Sequence, residues 1–263
     1  MSKVKTLSQF INKAKDFNNL LGLETTTINP WFRGHRDLNY TLVPSIYRDE
    51  RLKKCEREIC RDFMQKAEPF LYSKTPSYKI DWLFIMQHYG LPTRLLDWTE
   101  SYLTALYFAV EDHKYKKDAC VYVLNPWEMN TEHLGSKSII SPDENIIQDY
   151  ILDEKGFLKA DLPIAIRTNK NSKRIHAQKG VFTMHGKYED SLDMYNHTID
   201  IIEIDGNSKL KILKELYHAG ISHSVIFPEL TAISEELKFT YTEFMSEDLA
   251  NWSNPKNFSK PSH

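Results

Sequence analysis

Three short runs of this chain carry side chains whose types and spacing can do chemistry. The first, Trp31-Phe32-Arg33-Gly34-His35-Arg36-Asp37, puts an arginine and a glycine where an apolar, aromatic strand ends. A guanidinium fixed at a strand tip offers a planar fork for phosphate or carboxylate, and the glycine beside it lets a ligand approach the backbone. Arg33 can equally brace the core by pairing with Asp37 or Asp97. The second run, Gln87-His88-Tyr89-Gly90-Leu91-Pro92-Thr93-Arg94-Leu95-Leu96-Asp97-Trp98-Thr99, mixes His88, Arg94, Asp97 and Thr99 with Leu95, Leu96 and Trp98. Polar groups held among large apolar ones are half-buried and must be hydrogen-bonded or functional. Asp97 or Thr99 can also cap a helix that starts near Glu100. The third run, Arg174-Ile175-His176-Ala177-Gln178-Lys179-Gly180-Val181-Phe182, again leads polar groups into a strand, on which Gln178 and Gly180 face the same side. Lys170, Lys173 and Arg174 form a small basic run beside it, suited to steering a phosphate or to lying on a solvated loop.

Several chemistries are argued against. His35, His88, His176 and His185 have neither the i,i+4 nor the short-loop spacing of a zinc site, so no metal is expected. There is no P-loop, GxGxxG, GxSxG or HExxH, which speaks against nucleotide triphosphatases, Rossmann enzymes, serine hydrolases and zincins. A net charge of -2 and a pI near 6.6 give no global basic field for non-specific nucleic-acid binding. The cysteines, Cys55, Cys60 and Cys120, are odd in number and sit in no CxxC or Cys/His pattern, which fits a reducing cytoplasm. No apolar run approaches the roughly 20 residues of a membrane span, and the first residues carry no apolar signal region.

The elements that must position these runs follow from periodicity. Leu7, Phe10, Ile11, Ala14, Phe17, Leu20 and Leu21 keep helical spacing behind a Thr6-x-x-Gln9 capping box, and Gly22 ends that helix. Ile28 to Phe32 reads as a strand. A helix over about 49–68 carries a stripe of Leu52, Cys55, Ile59, Phe63 and Ala67, ended by Pro69 and Ser73–Ser77. Asp81 can cap the next helix, with Trp82, Ile85, Met86 and Tyr89 inward and Gly90 as a left-handed stop. Another helix covers about 100–112, a short one lies near 143–152, and one at about 208–219 closes on Gly220. Strands are expected at 119–124, 162–167, 179–184, 199–204 and 223–227. With 41% apolar and 27% charged residues the chain can bury a sizeable core. The expected fold is α+β, a single domain with helices concentrated in its first half.

Together these blocks resemble a known family. Trp31-Phe32-Arg33-Gly34, then Tyr40-x-Leu42-x-Pro44-Ser45 and Arg48, is similar to the opening of the FRG domain. The run Gln87–Thr99, followed by Ala105-Leu106-Tyr107-Phe108-Ala109, resembles its central block. Arg174, Gln178-x-Gly180-x-Phe182, Gly220-Ile221 and Phe227-Pro228-Glu229-Leu230 resemble its later ones. The resemblance divides the chain into an N-terminal helix over 1–24, the domain over 25–237 and a tail from 238. More remotely, Arg33, Asp97-Trp98-Thr99, the Ala-x-x-Phe-Ala helix and Gln178-Lys179-Gly180 resemble the successive blocks of ADP-ribosyltransferases. That likeness implies a mixed or antiparallel sheet split around a cleft.

What the likeness implies about chemistry is transfer from NAD to a protein or nucleic-acid acceptor. Arg33, Gly34, His35, Arg94, Trp98 and Thr99 would hold the NAD, and Arg33, His88, Asp97, Thr99, Gln178 and Glu229 would carry the reaction. One block departs: Gly180 stands where the catalytic glutamate is expected, so Glu229 or Asp97 would have to substitute. A binding module on the same fold that senses a nucleotide or a protein without turnover is the rival expectation. A nucleotide or nucleic-acid hydrolase using His88 and Asp97 as acid and base is a third.

Overall fold

The computed structural model describes residues 2–20, 29–71, 76, 78–168, 173–192 and 198–245. The expected roles of Gly22, Ile28, Ser73, Ser77, Lys170 and the tail beyond 245 lie outside them. Helix α1 (Leu7–Leu20) buries Phe10 and Ala14. Thr6 Oγ1 accepts the Gln9 N–H at 3.2 Å, but Gln9 Oε1 reaches back to the Lys5 N–H rather than to Thr6, so the expected box is displaced by one residue. Strand β1 (Trp31–His35) follows, then α2 (Glu50–Lys54) and α3 (Glu56–Ala67). These two replace the single helix expected over 49–68. The chain breaks at Cys55 (φ -105°, ψ 11°), and the break turns Glu56 inward to a buried partner, Arg94.

Helix α4 (Lys79–His88) starts one turn earlier than Asp81 suggested, and Asp81 sits at its third position, accepting the Tyr78 N–H. Its inner face is Ile80, Trp82, Leu83, Phe84 and Met86, whereas Tyr89 is exposed. Gly90, at φ +80°, provides the left-handed stop. Leu95–Thr99 is strand β2, and it leads into α5 (Tyr102–Val110). The cap of α5 is Ser101, whose side chain accepts the Thr104 N–H, so neither Asp97 nor Thr99 caps it. Strand β3 (Ala119–Leu124), α6 (Pro126–Leu134) and β4 (Ile164–Ile166) come next, with Asn145–Tyr150 forming a 3-10 turn where a short helix is expected. They precede α7 (Lys173–Gln178), β5 (Gly180–Met184), β6 (Ile199–Ile204) and α8 (Lys209–His218). The chain then forms α9 (His223–Ile226) and α10 (Leu230–Phe239). The stretch expected as a strand at 223–227 is thus one helical turn, closed by the Ile226 N–H on Ser222 O. Among the described residues, α1 to α6 all begin in the first half of the chain and hold most of its helical residues, as expected, while α7 to α10 supply a smaller share in the second.

The architecture is α+β, with a six-stranded sheet in the order β4-β5-β2-β1-β3-β6 and antiparallel neighbours throughout. Side chains alternate across a strand, so the pairing of Phe32 with Thr99 puts Leu95, Asp97 and Thr99 on the face of Phe32 and Gly34. On that face, α1, α5 and α8 cover the β1-β3-β6 half through Phe10, Ala105, Leu106, Ile212 and Leu216. Helix α4 covers the other half through Ile80, Phe84 and Met86 against Leu95, Phe182 and Met184. Trp31, Leu96, Trp98, Tyr122 and Met129 fill the opposite face. The middle of the sheet is where the ladder is weakest. β3 pairs with β6 over six positions, but β1 meets β2 only at Phe32–Thr99, and beyond that pair the two strands diverge. Among the described residues no helix is long and apolar enough to cross a membrane.

Candidate functional site

A cleft of about 490 Å³ opens where β1 and β2 part. Arg33 and His35 lie on the same side of β1, two residues apart. Arg33 Nε donates to His35 Nε2 at 2.9 Å, and Tyr40 O lies 3.2 Å from His35 Nδ1. That pattern fits one neutral tautomer, with the proton on Nδ1 directed at Tyr40 O and Nε2 accepting from the guanidinium. Burial and the neighbouring Arg33 charge push His35 down to about 3, so it stays uncharged at ordinary pH. Arg33 Nη1 crosses the gap in the sheet to Asp97 O at 2.5 Å, and the Asp97 carboxylate lies 3.6 Å away. Asp97 in turn accepts from Gln87 Nε2 at 2.9 Å, and Gln87 Oε1 accepts the Thr93 hydroxyl. A hydrogen-bonded chain therefore runs from α4 across β2 to β1, and Asp97, half exposed, is its outward carboxylate.

The remaining walls are built from the surrounding elements. Thr99 Oγ1 donates to Gln178 O at 2.6 Å and accepts the Ser101 N–H at 3.0 Å, joining the end of α7 to the start of α5. Gln178 ends α7 instead of starting β5, so it does not share a strand face with Gly180; its side chain reaches Ile226 O at 3.3 Å. Arg174, from the same helix, lays its guanidinium 4.8 Å from the Phe227 ring. Arg48 bonds Val43 O, and Arg36 pairs with Asp112 at 2.9 Å. Together Arg33, Arg36, Arg48 and Arg174 bring four guanidiniums to one cleft.

The expected site residues divide. Arg33, Gly34, His35, Asp97, Trp98, Thr99 and Gln178 all line the cleft. His88 lies next to it, in a recess of about 70 Å³ that shares Gln87, Asp97, Arg174 and Gln178 with it; burial and Arg174 hold its ring below the usual histidine range. Glu229 is exposed, precedes α10 and lines neither cavity. Arg94 points away. It is 2% exposed, with Nε 2.9 Å from Glu56 Oε1, Nη2 on the other carboxylate oxygen, and Nη1 on Tyr47 Oη and His185 O at 3.1 and 3.3 Å. Trp98 is buried and donates to Thr183 Oγ1 at 3.1 Å, so it offers the cleft only part of its ring. Gly34 makes room for a helix backbone more than for a ligand, since a Cβ there would lie 1.9 Å from Ala105 O. At Gly180 a Cβ would meet nothing closer than 3.5 Å.

The residue that sequence reasoning missed is Glu111. It follows α5 directly, lines the cleft, and accepts no hydrogen bond on its carboxylate from any described residue. Burial, then the Asp112 charge, pushes it up to about 7, against the pull of Arg174 and Arg36. Its place at a helix C-terminus, where the dipole is negative, acts in the same direction. The one sequence signal was position: Glu111 directly follows the wholly apolar Phe108-Ala109-Val110, whose buried turn sets where its carboxylate starts.

Residues 29–118 match the family model of the FRG domain, about a third of the chain, from the start of β1 to the edge of β3. The matched segment contains Arg33, Asp97, Thr99 and Glu111, and leaves Arg174 and Gln178 outside it. No curated protein and no solved structure matches the chain.

Proposed function

We propose that this FRG-domain chain is an NAD-using, ADP-ribosyltransferase-like enzyme, and that the cleft between β1 and β2 holds the NAD. The carrying observation is the convergence of four guanidiniums and the carboxylates of Asp97 and Glu111 on one cleft of about 490 Å³. Guanidiniums in fixed positions match a pyrophosphate, and a cleft of this size suits a dinucleotide-sized ligand. Arg33 is the primary phosphate contact. His35, fixed as a neutral ring by Arg33 and Tyr40, is a hydrogen-bonding wall and not an acid. Loss of nicotinamide leaves positive charge on the ribose, and a carboxylate facing it stabilises that charge. Thr99 and Gln178 fix the wall along which the ribose lies.

The rival, a sensor that binds a nucleotide or a protein without turnover, draws on Gly180, which supplies no carboxylate at the expected place. The test is titration calorimetry with NAD, followed by transfer of label from NAD to a cell lysate. Wild type is expected to bind and to transfer. Arg33→Lys, which keeps the charge but loses the fork, is expected to bind about tenfold or more weakly. Binding without transfer leaves the sensor, and no binding refutes both.

A further inference from the structure

A second cavity, of about 320 Å³, lies against the first on the α5, α8 and α10 side. Glu111 and Asp112 line both, so they form a shared wall. The lining charge of the two cavities differs. The first sets four guanidiniums against the carboxylates of Asp97, Glu111 and Asp112. The second has no guanidinium and no lysine; it has the carboxylates of Glu111, Asp112, Glu235 and Glu236 beside the Tyr107, Tyr217 and Phe239 rings. Three of the carboxylates are engaged: Asp112 by Arg36, Glu235 by His223 Nε2 at 2.9 Å, and Glu236 by the Ser224 N–H at 2.7 Å. Glu111 alone of these faces both cavities without a hydrogen-bond partner among the described residues. His223 Nδ1 lies 2.7 Å from Tyr107 Oη, so a Tyr107–His223–Glu235 chain fixes the far wall and keeps α9 and α10 in place.

We propose that the second cavity is the acceptor subsite, that it takes a cationic protein side chain, guanidinium or ammonium, and that Glu111 receives that acceptor's proton. This rests on NAD occupying the first cavity. Carboxylates and aromatic faces attract a cation and repel a polyanion, so the acceptor is protein and not nucleic acid. In the step, the bond between the ribose C1′ and the nicotinamide nitrogen breaks, and nicotinamide leaves with the electron pair. The acceptor nitrogen bonds C1′, and the one proton released from that nitrogen passes to the Glu111 carboxylate. A carboxyl titrating near neutrality is matched to that task, and the rate then rises with pH and levels off above about 7.

The experiment uses the full chain, labelled NAD, and three acceptors: an arginine-rich peptide, a lysine-rich peptide and an oligonucleotide. Wild type is expected to label the peptides and not the oligonucleotide. Glu111→Gln is expected to bind NAD within about threefold of wild type and to lose transfer by about 100-fold or more, with a flat pH profile. Glu111→Asp is expected to keep the pH dependence at a lower rate, which a merely structural loss would not produce. Phe239→Lys, which places a cation in the second cavity, is expected to keep NAD binding and nicotinamide release to water while losing peptide labelling. Transfer retained by Glu111→Gln, or label on the oligonucleotide, overturns the inference and leaves NAD use standing. Failure of wild type to bind NAD overturns both.

Discussion

Replacing Arg94 separates the brace of this fold from its cleft. Its guanidinium and the Glu56 carboxylate are both buried, at 2% and 5% exposure, with two hydrogen bonds between them. The same guanidinium holds Tyr47 Oη and His185 O, tying α3, the turn before α2 and the end of β5 to β2. Arg94→Ala leaves a buried carboxylate with no counter-charge, which costs about 3–5 kcal/mol. For a chain of this size each kcal/mol lowers Tm by about 2–4 °C, so a fall of about 6–20 °C is expected. Urea denaturation with a fixed m-value gives the free energy directly. The partner variants sharpen the test. Glu56→Met alone is also destabilising, since it strands the guanidinium. Arg94→Met combined with Glu56→Met costs less than the two single losses together, because removing both charges removes the desolvation problem. Ligand affinity of the double variant stays within about threefold of wild type, as neither residue lines the cleft. A loss below about 1 kcal/mol in Arg94→Ala, coupled to a large loss of ligand affinity, would refute the brace and return Arg94 to the binding residues.

Three further outcomes are expected. Gly34→Ala drives a Cβ to 1.9 Å from Ala105 O and 2.7 Å from Ala109 N, so α5 must move off β1 and the loss is about 3 kcal/mol or more, whereas Gly180→Ala, with its nearest neighbour 3.5 Å away, changes stability by about 0.5 kcal/mol or less in thermal denaturation. His35 and His185, both held down to about 3, do not titrate between about pH 4.5 and 8 in the NMR spectrum of the folded protein; movement of either ring near pH 6 contradicts their assigned burial. These histidines have folded values below the unfolded 6.5, so the unfolded chain gains their protons first and stability falls as pH drops below 6.5. Glu111, raised from 4.5 to about 7, works the other way, its folded state gaining a proton first and stability rising as pH falls through that window. In Glu111→Gln that opposing proton is gone, and acid destabilisation between pH 6.5 and 4.5 steepens by about 1.4 kcal/mol per pH unit; parallel curves for the two proteins would contradict the raised Glu111 value.

Strands over 119–124 and 199–204 were legible because their apolar, β-branched residues are bounded by turn residues, and both stand in the structure at those bounds. Gly90 and Gly220 were legible as stops because a left-handed φ favours glycine, and both have one. What local pattern cannot carry is partnership across the chain. Glu56 and Arg94 are 38 residues apart, and nothing in a helical stripe over 49–68 says that one of its glutamates must turn inward. The same limit explains Arg94 itself: its setting among leucines reports burial correctly, yet burial alone does not distinguish a ligand from a salt bridge. The segment 223–227 failed for a different reason. Five residues of mixed apolar character suit a strand or a single helical turn equally, and only the docking of Ile226 decides between them. Gln178 was misplaced by a boundary, since the helix end and the strand start are separated only by Lys179, at φ +49°.

The cleft and the weak point of the sheet are one feature. Gly34 lets the backbone of α5 sit directly on β1, while β2 is held by Phe182 and Val181 of β5 and by the α4 chain through Gln87. The two halves of the sheet are thus anchored to different helices, and β1 and β2 meet at a single register pair. Strands that part leave backbone groups without ladder partners, and buried groups of that kind must be satisfied by something else. Arg33 does this for Asp97 O. Its guanidinium is therefore held in place by the fold before any ligand arrives, with His35 and Asp97 limiting its rotation, so binding an anion need not bear the usual cost of ordering a long side chain. This is also why bracing and binding were inseparable for Arg33 in the sequence. The bond that fixes the guanidinium leaves Arg33 among the residues lining the cleft, and under the proposed function such a residue serves the sheet and the ligand with the same group.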